Sequence, residues 1–294
     1  MISVLIPVYN IEVVSLVNEL SKQLSHLNIE GEILVFDDFS SKDYRESNRS
    51  ISNLNHVFYR ELDQNYGRTG IRQLLASSAR FGWLLFLDSD SRIIYPDFLQ
   101  RYFSSFKNGF DIYTGGRVYP SKPIECNKAL HWKYGTRRES AKGNKTAFHT
   151  NNFCIKKAIF GQLNFPELLK QYGHEDTWME IELERLGKGI LHINNCVEHT
   201  RIEDTDVFLK KTEQALQNLL LLENAVDKTA MVKHIALYRS YRFIQKGRLE
   251  VVVNFIYSLI KHKIIQNLKS CSPSLSVFDF YRLYNLIRLS KQNK

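Results

Sequence analysis

The sequence predicts an α/β fold: a mainly parallel, doubly wound central sheet flanked by helices, with a helical region appended at its C-terminal end. Three observations carry this. Short apolar runs alternate with helix-period segments as far as Leu87, acidic and turn-forming residues follow several of those runs, and from residue 205 onward the pattern is helical.

The apolar runs at 3–8 and 33–36 have the length of buried strands. Between them Val13, Val17, Leu20, Leu24 and Leu27 recur every three or four residues, which lays one apolar stripe along a helix. A strand at 56–59, a helix over 69–81 and a strand at 83–87 continue the alternation. Beyond residue 110 the pattern is mixed, with strands predicted at 112–119, 151–155 and 189–194. This divides the chain into a domain of residues 1–204, with halves at about 1–110 and 111–204, and a helical region of residues 205–294. The apolar segment LEVVVNFIYSLIKHKII, residues 249–265, reads as a buried packing helix, with a membrane-surface helix as its rival. Arg239, Arg242, Lys246, Arg248, Lys261 and Lys263 surround it with positive charge.

Composition narrows the classes. A chain of 294 residues that is 44% hydrophobic and 24% charged is globular and not disordered. It has no apolar run of membrane-spanning length and opens on a strand-like MISVLIPVYN, so no secretion signal is expected and the expected location is the cytoplasm. Cys126, Cys154, Cys196 and Cys271 form no close pair in sequence and are expected to be reduced. The formal charge of +9 points to an anionic partner. Nucleic acid is not expected, because the basic residues do not interleave with aromatics and no recognition-helix or zinc-finger pattern is present.

In open α/β sheets ligands sit at the carboxyl ends of the strands. Three such ends carry notable residues: PVYN after the first strand, Asp37 and Asp38 after the second, and Asp88 and Asp90 in WLLFLDSDSRI. Side chains at i and i+2 of a strand share a side, roughly 6 to 7 Å apart, so Asp88 and Asp90 could face one ligand, one of them holding a divalent cation. A solvated turn is the alternative. A phosphotransferase of the haloacid dehalogenase type fits less well, since its nucleophilic aspartate belongs on the first strand. A dinucleotide oxidoreductase lacks the glycine-rich turn.

SVLIPVYN, LVFDDFSSKD, NYGRTGIRQ, FLDSDSRI and YGHEDTWMEIELERLGKGI occur in the order and spacing that resemble the family 2 glycosyltransferases of GT-A fold, over roughly residues 1–200. The resemblance implies an inverting transfer of a sugar from a nucleoside-diphosphate donor, usually a uridine one, with Mn2+ or Mg2+. It implies that Pro7, Tyr9 and Asn10 line the nucleotide pocket, that Asp38 meets the base, and that Arg72 packs beside it. Asp88 would reach the ribose and Asp90 the metal. Gln73 stands where the family often has asparagine, and Phe39 where glycine or asparagine is common.

Glu175 and Asp176 open a predicted helix, since Met179, Leu183 and Leu186 follow at helical spacing, and a helix start favours ionised carboxylates. The resemblance makes Asp176 the general base and Glu175 a positioning residue. It also suggests His199, expected after the strand at 189–194, as a metal or diphosphate ligand. Between these motifs Arg137 and Arg138 could clamp phosphate, while His149, Asn151 and Asn152 could meet sugar hydroxyls. Trp132 and Tyr134 read better as core than as sugar platforms. The long segment around them could close over the donor. The expected acceptor is a glycan or lipid-linked glycan of polysaccharide assembly, with peripheral contact to the inner membrane, or oligomer contact, through the basic C-terminal helices. A non-catalytic nucleotide-binding protein is the remaining alternative.

Overall fold

The computed structural model describes residues 1–27, 29–121, 125–140, 148–166 and 173–292. The chain forms two compact units. One comprises Met1–Pro120, Glu139–Phe165 and Glu182–Arg201, the other Ser121–Arg138, Pro166–Ile181 and Ile202–Lys294. The division therefore does not fall at residue 204, because two earlier segments belong with the C-terminal helices.

In the first unit β1 (Ile2–Val8), β2 (Gly31–Asp37), β3 (Val57–Glu61) and β4 (Trp83–Leu87) form the parallel part of a sheet. β1 and β2 are buried along almost their whole length, which is why they read as unbroken apolar runs. Helices α1 (Val14–His26), α2 (Lys42–Asn48) and α3 (Gly67–Ser78) make the connections. α1 turns Leu16, Val17, Leu20 and Leu24 into the core.

The sheet then changes sense. β8 (Asn152–Lys156) inserts antiparallel between β4 and β6 (Ile112–Thr114), and β9 (Ile190–His192) runs parallel to β6, giving the order β3-β2-β1-β4-β8-β6-β9. A second sheet has the order β5-β10-β7, from β5 (Ser91–Ile93), β10 (Val197–His199) and β7 (Arg117–Val118). Helices α4 (Phe98–Ser105) and α6 (Lys157–Phe160) complete this unit. The single strand predicted at 112–119 is thus two strands in two sheets. The break comes at Gly115, where a Cβ would lie 2.2 Å from the Asn195 carbonyl oxygen, so only glycine fits.

The second unit is helical. It contains α5 (Ala129–Tyr134), the start of α7 (Glu175–Arg185), α8 (Thr205–Leu222), α9 (Lys228–His234), α10 (Ala236–Lys246), α11 (Glu250–Leu268) and α12 (Leu275–Gln292). Its core joins Leu130, Phe208, Tyr257, Leu268 and Phe278, and Tyr134 sets its ring edge-on to Phe278 at 5.5 Å. Tyr134 is half-buried and packs against this core.

Two expectations are corrected here. Cys126 and Cys271 form a disulfide, while Cys154 and Cys196 are free and buried. The bonded pair is 145 residues apart, a distance at which spacing in the sequence carries no signal. Nor is α11 a buried helix. It buries Val253, Tyr257, Ile264 and Leu268 and leaves a broad apolar face exposed. Among the described residues no helix is long and apolar enough to cross a membrane.

Candidate active site

The carboxyl ends of β1 and β2 build one wall of the candidate site. Pro7 lies within β1, and Tyr9, just beyond its end, is exposed. Asn10 takes a left-handed φ of 50° and is tied to the loop after β2. Its N–H donates to Ser40 Oγ at 2.8 Å and its Oδ1 accepts from Ser41 N–H at 2.8 Å. Asp38 N–H donates to the Val8 carbonyl at 2.7 Å, and its carboxylate accepts from the N–H groups of Tyr66 (2.6 Å) and Gly67 (3.0 Å), where α3 begins. Burial holds the Asp38 carboxyl above its ordinary range, and the two backbone donors offset only part of that rise. Asp37 beside it is buried and accepts from Ser40 N–H at 2.7 Å, a loop-shaping role.

Asp88 and Asp90 do not lie on a strand. β4 ends at Leu87, and the two residues sit in the turn into β5, closed by a hydrogen bond from Ser91 N–H to the Asp88 carbonyl at 3.1 Å. The same-side spacing of a strand therefore does not apply, and the two carboxylates have different neighbours. Asp88 Oδ1 pairs with Arg72 Nη2 at 2.7 Å, and Arg72, on α3, is itself buried. Asp88 N–H is anchored on the Asn151 carbonyl at 2.9 Å.

Asp90 faces His199, and sheet register is the reason. β10 runs antiparallel to β5 with His199 opposite Ser91, and Thr200 donates through both N–H (2.9 Å) and Oγ1 (2.8 Å) to the Asp90 carbonyl. His199 Nδ1 lies 3.3 Å from Asp90 Oδ1, an oxygen shielded from solvent. Burial raises the Asp90 carboxyl, but His199, Arg117 and Arg68 outweigh it and hold the group at about 2, ionised. A carboxylate oxygen and an imidazole nitrogen so spaced fit two adjacent ligands of a hard cation, whose bonds of about 2.1 Å at right angles would set them about 3 Å apart. Among the described residues no third His, Cys, Asp or Glu completes a metal cluster.

Around this pair are residues that the sequence did not single out. β7 runs parallel to β10, with Arg117 opposite Val197, and this register carries Tyr119 alongside His199, ring centres 5.3 Å apart. Tyr119 donates its hydroxyl to Glu139, which also pairs with Arg117 at 3.5 Å. Only strand register joins these residues, so no local pattern could have found them.

Of the other expected contacts, Asn151 is buried with an unpartnered Oδ1, a free acceptor beside the Asp88 anchor. Asn152 is corrected to a structural residue. It is fully buried, donates to the Gly116 (3.0 Å) and Asn195 (2.8 Å) carbonyls, and accepts from Tyr102 at 2.6 Å, so it has nothing left for a sugar. In the second unit Arg138 is engaged by Asp279 at 2.7 Å, and Arg137 is exposed. The segment expected to close over the donor falls partly on residues 141–147, which lie outside the described residues.

Glu175 and Asp176 open α7 in the second unit, as the helical spacing predicts. Gly173 (φ 105°) and His174 (φ 66°) turn the chain into the helix. A Cβ on Gly173 would meet Ala215 Cβ at 2.5 Å, so the entry to α7 requires glycine. Glu175 accepts from Gly173 N–H at 3.0 Å, and Asp176 Oδ1 accepts from Thr177 N–H at 2.8 Å. Both carboxylates are half-buried in the first turn of the helix, beside its free backbone N–H groups.

Residues 3–163 match the model of a family described as glycosyl transferase family 2. No curated protein sequence matches the chain significantly. Among solved structures, glucosyl-3-phosphoglycerate synthase from Mycobacterium tuberculosis, with Mn2+, UDP-glucose and phosphoglyceric acid, is similar at a TM-score of 0.53 and 16% identity. That match covers 75% of this chain and 78% of the other. TarS from S. aureus is similar at 0.51 and 19% identity, over 80% of this chain and 42% of that one. A mannosyltransferase from Pyrobaculum calidifontis, with GDP-Man and Mn2+, is similar at 0.56 and 10% identity, over 100% of this chain and 87% of that one. At these identities the likeness is one of fold.

Proposed function

The chain belongs to glycosyl transferase family 2, and from that premise we propose that it moves a sugar from a nucleoside-diphosphate donor to a glycan or lipid-linked acceptor by an inverting single displacement. Uridine diphosphate is the first donor nucleotide to test. The observation that carries this reading is the pairing of Asp90 with His199, whose Nδ1 lies 3.3 Å from the shielded Asp90 Oδ1. Asp90 and His199 would hold a divalent cation, which when bound neutralises the charge that grows on the leaving diphosphate.

The other residues bind and orient. Pro7, Tyr9 and Asn10 border the nucleotide, and Asp38, fixed by two backbone donors, presents its remaining lone pairs to an N–H of the base. Asp88, held by Arg72, accepts from the ribose hydroxyls. Asn151 offers its free amide oxygen to a donor-side hydroxyl, and Arg137 attracts an anionic part of donor or acceptor. Asp176 takes the proton of the acceptor hydroxyl as its oxygen attacks the anomeric carbon opposite the leaving group, and Glu175 orients that hydroxyl. Polysaccharide assembly in the cytoplasm is the setting we assign by analogy with such acceptors.

Titration calorimetry with uridine diphosphate, with and without Mn2+, tests the reading. Wild type should bind much more tightly with the cation, and Asp90→Asn should lose that difference. Asp176→Asn should keep nucleotide binding while transfer, followed with a panel of nucleotide sugars, falls by about a hundredfold or more. Equal binding with and without the cation would remove the metal role, and near wild-type turnover of Asp176→Asn would remove the base assignment.

A further inference from the structure

Along α11 the side chains separate into two arcs. Val253, Tyr257, Ile264 and Leu268 turn into the second unit. Val251, Val252, Phe255, Ile256, Leu259 and Ile260 face solvent, Val251 with 73% and Leu259 with 69% of its surface exposed. At 3.6 residues per turn these six cover about half of the helix circumference over nearly three turns. Apolar surface so concentrated marks a place where something other than water belongs.

Charge identifies the partner. Lys246 and Arg248 precede the apolar face and Lys261 and Lys263 follow it. All four are exposed, and none forms an ion pair among the described residues. Between Lys246 and Lys263 the only acid is Glu250. A second copy docking through the same face would bring two sets of unpaired cations together, which opposes self-association. A surface that offers acyl chains beneath a layer of phosphates complements both features. Among the described residues no helix is long and apolar enough to cross a bilayer, and the contact proposed here lies in its plane.

We propose that the exposed face of α11 docks on an anionic phospholipid bilayer, with Phe255, Ile256 and Leu259 entering the acyl boundary and the four basic residues meeting lipid phosphates. This goes beyond the sugar-transfer reading and does not depend on it.

Co-sedimentation of the full chain with vesicles tests the proposal. The chain should bind mixed phosphatidylcholine and phosphatidylglycerol vesicles and not phosphatidylcholine alone, and rising salt should weaken the binding. Phe255→Ser with Leu259→Ser should weaken it by about tenfold or more, and Lys261→Gln with Lys263→Gln by about fivefold for each charge removed. These side chains are exposed, so the circular dichroism of both double variants should match wild type. No binding to anionic vesicles would overturn the proposal, as would binding undiminished in both variants. A dimer in lipid-free solution that Phe255→Ser with Leu259→Ser dissociates would overturn it in favour of self-association.

Discussion

Phe39 holds a φ of +66°, in the left-handed region where a side chain of its kind costs about 1–2 kcal/mol. Its ring is half exposed, with the Arg45 guanidinium 5.8 Å from the ring centre, a contact that returns about 0.5–1 kcal/mol at such a site. Packing therefore does not explain a strained aromatic next to Asp38, and on the proposed sugar-transfer reading the ring is offered to the nucleotide base. Phe39→Asn, which tolerates this backbone, should leave thermal stability unchanged or raise it by up to about 1 kcal/mol and at the same time weaken uridine diphosphate binding. Lower stability with unchanged affinity would make the ring a structural part instead. Asp38 and the aspartates after Leu87 could be picked out from the sequence because each stands in a short local pattern, whereas Phe39 shows there only as a departure from the family's glycine or asparagine. Asn152 stood in the same kind of pattern and is core, since nothing local tells a buried amide with three partners from one that awaits a ligand.

At the scale of elements, the sheet edge depends on Asp111, immediately before β6. Its carboxylate takes Lys156 from the end of β8 and Lys188 from the approach to β9, each at 2.8 Å. Hydrogen bonds from Lys156 and Lys188 outweigh burial and hold this carboxyl below its ordinary range. A folded-state value below the unfolded one means that the stabilisation is complete above about pH 3.9 and is lost as pH falls through the folded value. Asp111→Asn should thus be less stable than wild type by about 1 kcal/mol or less at neutral pH, because the pair is near the surface. Paired thermal melts should show the difference closing as the pH is lowered below 4 by roughly a unit or more. A gap that persists at acid pH would mean packing, not charge, is what the variant loses. The strands β1, β2 and β4 were readable one at a time because each holds a continuous apolar run, whereas β3, VFYRE, alternates and ends in charge. Insertion of β8 between β4 and β6 and the placing of His199 on its own strand were not, since both are pairings between distant segments. The apolar run in α11 misled for a related reason: hydropathy counts side chains and does not say which of them find a partner.

At the scale of the molecule, the question is what the C-terminal helices do for the acids that open α7. Within the second unit Gly173 lies against Ala215 of α8, and its carbonyl accepts from Asn218 Nδ2 at 3.3 Å. Glu180 lies 3.8 Å from His234 of α9. The start of α7 is thus held by helices that lie beyond residue 204. So is α5, where Leu130 packs into the cluster of Phe208, Tyr257 and Phe278, and where the neighbouring Cys126 is bonded to Cys271. A chain ended at residue 204 keeps every residue of the first unit, including Asp38, Arg72, Asp88, Asp90 and His199, and strips the support from Glu175 and Asp176. Exposing the apolar side of α5 should also make it prone to aggregate. Such a chain, kept soluble as a fusion, should retain cation-dependent uridine diphosphate binding in calorimetry and lose sugar transfer. Loss of both would show that nucleotide binding itself needs the second unit, and retained transfer would show that Asp176 keeps its position without α8 and α9.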